Sequence, residues 1–283
     1  MAITGNTYNP GTQGAAWVNE VWANTIDREA YNLAKIRPLI SKQPALHKKL
    51  HIPKHAALSP STIADTVDMS GHGLTFSANT EVEFTKTPHT VSLNVSVNDN
   101  QIGRMMVDPK DTLRTSITSA LAQNVDQAIA TLFAALTTNI SGSYAAPLDL
   151  STILEAKSKC RVGAKEYADD GQMNFVYSDT QEDSVLSIGN FVQAYVRGDN
   201  ENPAVGGKII EAYGLRFVCT GNVQNSGGGY NNCVFIQRAF VISFNQEPTV
   251  EAQRFGLATW LLGWSDFGTD TLRDGYAALA KSN

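Results

Sequence analysis

Three histidines recur at four-residue intervals, His47, His51 and His55, within the basic stretch "SKQPALHKKLHIPKH". On a helix that spacing would set three imidazoles on one face, as a bound zinc ion requires. Pro53 interrupts such a helix, and no cysteine or nearby carboxylate completes the ligand set, so the stretch reads as a solvated or phosphate-facing basic segment. In "MSGHG", Ser70 and His72 offer a nucleophile and a base, but the leading glycine of a nucleophile elbow is missing. "SGGGY" (Ser226–Tyr230) resembles a phosphate cradle, yet it precedes a strand pattern rather than a helix and fits a hairpin turn better. "GGKII" has the Gly-Lys of a phosphate loop without the Ser or Thr that should follow. The neighbouring carboxylates Asp169/Asp170 and Glu182/Asp183 read as a solvated turn and a helix start, since no spacing sets one apart as an acid beside a base. Arg197-Gly198-Asp199 is a tripeptide in a polar run, and the sequons at Asn94 and Asn139 carry no meaning without a secretory leader. Cys160, Cys219 and Cys233 have no metal-type spacing and read as small buried hydrophobes of a chain made in a reducing cytoplasm. The expectation is therefore a protein with no catalytic residue, no cofactor and no metal.

The elements that would position such residues point elsewhere. Residues 1–13 form a polar arm, followed by an amphipathic helix with Trp17, Val21, Trp22 and Ile26 near helical spacing. Strict alternation at Val82 and Phe84, and again at Val91, Leu93, Val95 and Val97, predicts a polar β-ribbon with little core of its own. The clearest element lies at 108–137. Asp108 suits its N-cap and Pro109 its first turn, and Leu113, Ile117, Leu121, Val125, Ile129, Leu132 and Leu136 make one stripe. A second helix starts at Asp149 or Ser151, and a buried strand spans Met173–Tyr177. Two strands flank Gly214. "RFGLATWLLGW" is apolar at both alternations and predicts a strand buried on both sides, broken at Phe267-Gly268. Asp274-Gly275 predicts a hairpin leading into a last strand, with Tyr276, Ala278 and Ala280 on one side and Leu279 on the other. Irregular mixing of helix and strand gives an α+β class.

Composition fits this picture. The 283 residues are 42% hydrophobic and only 17% charged, with a net charge of −5. That balance excludes a nucleic-acid binder driven by counterion release over its whole surface. No run of apolar residues is long enough for a membrane span. Small polar side chains in place of charges suit a surface that meets other protein.

The order of these elements resembles the major capsid (coat) protein family of tailed bacteriophages, whose shell fold is shared with encapsulins. "MNFVYSDTQEDSVLS", "PAVGGKIIEAYGLRFVCTGNV", "VFIQRAFVISF" and the ending "DFGTDTLRDGYAALAKS" are similar to stretches of that family, with Thr271 standing where an aliphatic residue is more usual. The resemblance covers nearly the whole chain. It implies an N-terminal arm at 1–50 and an E-loop region at 51–98. A P domain would comprise 99–147 and 246–283, with its spine helix at 108–137, and an A domain 148–245. It further implies self-association into hexamers and pentamers of an icosahedral shell around double-stranded DNA, held by non-specific contact. The E-loop would lie across a neighbouring subunit. Other implied partners are a separate scaffolding protein, unless the chain is already mature, together with portal and decoration proteins. Assembly would take place in the host bacterial cytoplasm, and the mature location would be the virion.

Candidate assembly residues are Arg273 at the last turn, Trp17 and Trp22 in the arm helix, and Ser70, Gly71, His72 and Gly73 in the E-loop region. Two other readings compete. One is an encapsulin-like nanocompartment shell, against which the polar arm before Trp17 argues; the other is a small-molecule hydrolase using Ser70 or His72.

Overall fold

A computed structural model describes residues 34–43, 49–54, 80–85, 93–98, 110–170, 173–188, 209, 211–226, 228–256 and 258–283. After a 3₁₀ turn at Arg37–Leu39 come β1 (Ser41–Gln43), β2 (Lys49–Lys54), β3 (Thr80–Thr85) and β4 (Leu93–Asn98). Then follow α1 (Lys110–Ala134), β5 (Ile140–Gly142), α2 (Leu150–Ala164), α3 (Tyr167–Asp170), β6 (Met173–Ser178) and α4 (Glu182–Leu186). The rest is β7 (Glu211–Ala212), β8 (Leu215–Thr220), β9 (Asn225–Ser226), β10 (Gly229–Phe235), β11 (Phe240–Phe255), β12 (Ala258–Thr271) and β13 (Ala277–Ser282).

The strands make a four-stranded sheet, β1-β11-β12-β4, and a seven-stranded one, β5-β13-β10-β6-β8-β7 with β9 beside β10. The antiparallel pair β2-β3 stands as a separate ribbon. The predicted ribbon strands β3 and β4 therefore both form but do not pair with each other. β4 adds to the edge of β12 from Leu93↔Gly263 to Asn98↔Ala258, and so gains the larger partner that its polar pattern requires.

The spine helix α1 runs for 25 residues, roughly 37 Å at about 1.5 Å per residue. Ile117, Leu121, Val125 and Ile129 are fully or almost fully buried, as the stripe predicts, and Phe133 extends the buried face. The helix crosses the β11-β12 hairpin at Gly263. A Cβ there would stand 2.2 Å from Ile117 Cγ2, so only glycine allows so close an approach. β7 and β8 are joined by Tyr213 and Gly214, both with positive φ (53° and 69°), the geometry of the tightest hairpin turns. Asp149 caps α2, its Oδ1 accepting from Thr152 N at 2.8 Å.

Three sequence expectations are corrected. β12 is not broken at Phe267-Gly268: it pairs through to Thr271, and Gly268 sits opposite Ser243. Nor is β12 buried on both sides. Leu261, Gly263, Ser265 and Phe267 point inward, but Trp260 is 36% exposed and Leu262 and Trp264 are half-buried, because α1 covers only one face of the hairpin. Finally, Asp274-Gly275 does not close a hairpin. It lies in a 3₁₀ turn, Asp274–Tyr276, that carries the chain from one sheet into the other. β13 then inserts between β5 and β10. Its two faces serve two cores: Ala277 and Leu279 join α1 residues, while Ala278 and Ala280 join Ile153, Ala156 and Cys160 of α2. The alternation predicted for this stretch is thus present, in a strand with a different partner.

Candidate assembly site

Where the chain enters the described structure, one acidic side chain holds it. Asp126 lies on α1 at 0% exposure, three residues before Ile129 and seven before Phe133. Its Oδ2 accepts from the backbone N–H of Lys35 at 2.6 Å and of Ile36 at 2.9 Å, and its Oδ1 from Arg37 N–H at 3.0 Å. Asn222 Nδ2 adds a longer contact at 3.4 Å. These N–H groups open the 3₁₀ turn, whose own N-cap residue, Ile36, supplies no side-chain cap. Burial raises the Asp126 carboxyl above its ordinary value, and the three backbone donors and Asn222 pull the other way. Beside it, Arg37 pairs with Glu247 at 2.7 Å and lies 4.5 Å above the Phe244 ring, while Lys35 Nζ donates to the Cys219 carbonyl at 2.7 Å. Sequence reasoning missed Asp126. The available signal was a single acid spaced four and seven residues from Ala130 and Phe133, inside the apolar face.

The last turn carries Arg273. Its backbone N–H donates to Ala239 O at 3.1 Å, and its guanidinium carbon lies 5.4 Å from the centre of the Tyr276 ring. Burial lowers the Lys54 ammonium below its ordinary value; nearby Arg273 lowers it further and Asp270 opposes both. Lys54, at the end of β2, therefore lies within electrostatic reach of Arg273 and of Asp270 near the end of β12. The Asp274 carboxylate accepts from Thr138 N–H at 3.0 Å and from the Thr138 hydroxyl, and Asn139 Nδ2 donates to Gly275 O and Ala277 O. These contacts pin the turn to the loop that follows α1.

The chain end is held by a buried amide network. Asn232 Nδ2 donates to Gln181 Oε1 and to Ser282 Oγ, each at 2.8 Å. Gln181 Nε2 donates to Ser282 Oγ and to Asn283 O, each at 2.7 Å. Ser178 N–H donates to Asn232 Oδ1 at 3.1 Å, and Asn283 N–H to Ala146 O at 2.9 Å.

Of the other candidate residues, Trp17, Trp22, Ser70, Gly71, His72 and Gly73 lie outside the described residues, as do His47 and His55. His51 falls in strand β2, so no helical face carries it. Among the described residues no group of three potential metal ligands gathers, and no helix is long and apolar enough to cross a membrane. Burial pushes the Cys160 thiol up to about 12 and Cys219 to about 11, and Cys233 is also raised well above its ordinary value; none is a thiolate at neutral pH.

A spine helix crossing a long β-hairpin, next to a mixed sheet that takes in the chain's last strand, is the fold of tailed-phage capsid proteins. A chain from Mycobacterium phage Che8 superposes with a TM-score of 0.74 at 19% identity, covering 94% of this chain and 97% of that one. The capsid structure of the cyanophage P-SCSP1u gives 0.73 at 12%, covering 94% and 93%. The head structure of Helicobacter pylori bacteriophage KHP40 gives 0.71 at 11%, covering 100% of both chains. No protein-family model matches the sequence, and no curated protein matches it.

Proposed function

We propose that this chain is the major capsid protein of a tailed double-stranded DNA phage, a structural subunit rather than an enzyme. The observation that carries the reading is the nearly end-to-end likeness to capsid and head structures. Two features of the chain support it. From Thr115 to Leu148 the one charged residue is the buried Asp126, so that stretch presents a neutral polar surface. The outer face of β12, with Trp260, Leu262 and Trp264, is an apolar row that a neighbouring copy would cover.

In this reading 1–50 is the arm, 51–98 the E-loop region, 99–147 with 246–283 the P domain and 148–245 the A domain, with β5 and β13 lent to the seven-stranded sheet. Copies close into hexamers and pentamers of an icosahedral shell, built on a scaffolding protein in the bacterial cytoplasm and completed by portal and decoration proteins. DNA is contacted without sequence preference. Arg273, Trp17, Trp22 and Ser70–Gly73 serve contacts between subunits.

The test is electron microscopy of the chain produced alone and together with a cognate scaffolding protein. Hollow shells or capsomers are expected, and DNA inside mature particles would separate a phage shell from a cargo-storing compartment. A monodisperse monomer at high concentration, with scaffold present, would overturn the proposal.

A further inference from the structure

The segment Ala34–Leu39 is held unequally on its two sides. On one side Asp126 takes all three of its leading backbone donors. On the other it borders an open groove of about 540 Å³, lined by Pro38 and Leu39 together with Tyr177, Glu182, Phe217 and the half-buried Cys219. A chain packed to native density on both sides would have nowhere to go; this one has open volume along one side. We propose that Ala34–Leu39 is a movable strap, latched by Asp126, that loosens from α1 when the Asp126 side chain is removed and opens the half-buried Cys219 further.

The driving force is hydrogen-bond satisfaction. With no acceptor at position 126, the N–H groups of Lys35, Ile36 and Arg37 would be buried without partners, a state that backbone donors avoid by moving to water. The remaining ties are weaker or different in kind. The Arg37–Glu247 pair is exposed on its Glu247 side, at 60%, and so is screened by solvent. The tie from Lys35 to the Cys219 carbonyl of β8 is exposed to solvent and breaks when the strap moves. Ile36, Leu39 and Ile40 are buried in the core cluster that contains Val125, Ile129 and Phe133, so the Ile36 side chain must leave that cluster when the strap moves, while Leu39 and Ile40 at its far end act as the pivot. The strap is a property of the single subunit and does not depend on the shell reading.

Native cysteines supply the readout. Cys219 lines the groove, while Cys160 and Cys233 are fully buried and report global unfolding. Labelling of the three thiols by a maleimide would be followed by mass spectrometry in the wild type, Asp126→Asn, Asp126→Ala and Glu247→Ala. The expected result is Cys219 labelling tenfold or more faster in Asp126→Ala. Asp126→Asn, which keeps one acceptor oxygen, should fall between the alanine variant and the wild type, and Glu247→Ala should change the rate less than threefold. Cys160 and Cys233 should stay protected throughout. If Asp126→Ala does not fold, the ordering of wild type below Asp126→Asn still decides. Equal Cys219 rates in the wild type and the variants would overturn the latch. So would simultaneous labelling of all three cysteines, which would make Asp126 an element of global stability only.

Discussion

The first and the last of the described segments are secured in opposite ways. At the C-terminal end, β13 is bonded on both edges and buried on both faces, and its last residues are closed off by Gln181, Asn232 and Ser282, whose side chains are neutral. At the N-terminal side, the backbone donors of the strap are held by one buried carboxylate, beside an open groove. The contrast separates permanence from adjustability. A strand shared by two cores cannot leave without unfolding both, whereas three hydrogen bonds to one side chain can be exchanged for three to water.

The comparison is broken most severely at β13. Leu279 is 1% exposed in the cluster that contains Val125, Ile129 and Phe133. Leu279→Ala should cost about 2–5 kcal/mol, read as a fall in the urea midpoint. A loss under about 1 kcal/mol would show that the end is no more essential than the strap. The next effect belongs to the amide network. Gln181→Ala removes one acceptor and the donor shared by Ser282 and Asn283, and leaves Asn232 short of a partner. A cost of about 1–3 kcal/mol is expected by denaturation, together with faster amide exchange at Leu279–Asn283 and unchanged exchange in α1. Uniformly faster exchange would mean that the network does not act locally.

How much of this could be read from the sequence depended on whether a residue's role was periodic. The spine helix was legible because Ile117, Leu121, Val125 and Ile129 repeat every four residues, and Asp149 was legible as a cap because an acid stands before an apolar run. The alternation in β13 was visible, but its partners were not. Pairing with β5 and β10 joins residues far apart in the chain, and Asp274-Gly275 has the same composition whether it turns a hairpin or hands the chain between sheets. The outer face of β12 misled for a related reason: an apolar row looks the same whether its own chain or another copy covers it. Asp126 was hidden because a single acid in a helix reads as solvated until its long-range partners are known. Of the candidate assembly residues, Arg273 stands at the entry to a 3₁₀ turn rather than to the expected hairpin, and its electrostatic influence on Lys54 depends on tertiary structure alone.

The smallest effect, and the one that sharpens the contrast most, is in pH dependence. The native Asp126 carboxyl is raised above its ordinary 3.8, with burial outweighing the donors. The folded state therefore keeps a proton at pH values where the unfolded chain has released it. By linkage, the stability owed to this group is fully present below 3.8 and declines as pH rises through the native value. Asp149 behaves in the opposite sense, because hydrogen bonds from Thr152 hold its carboxyl below the usual range, so its contribution is lost as pH falls. Only a difference measurement isolates Asp126. Urea midpoints of wild type and Asp126→Asn, compared from pH 7 down to pH 4, should shift progressively in favour of the wild type toward acid. Gln181→Ala, measured beside them, should keep a constant gap from the wild type because its network is neutral. A gap for Asp126→Asn that is flat, or that widens for the wild type toward pH 7, would show that the three backbone donors outweigh burial. The strap would then be tightest with its carboxylate charged, and acid rather than base would loosen it.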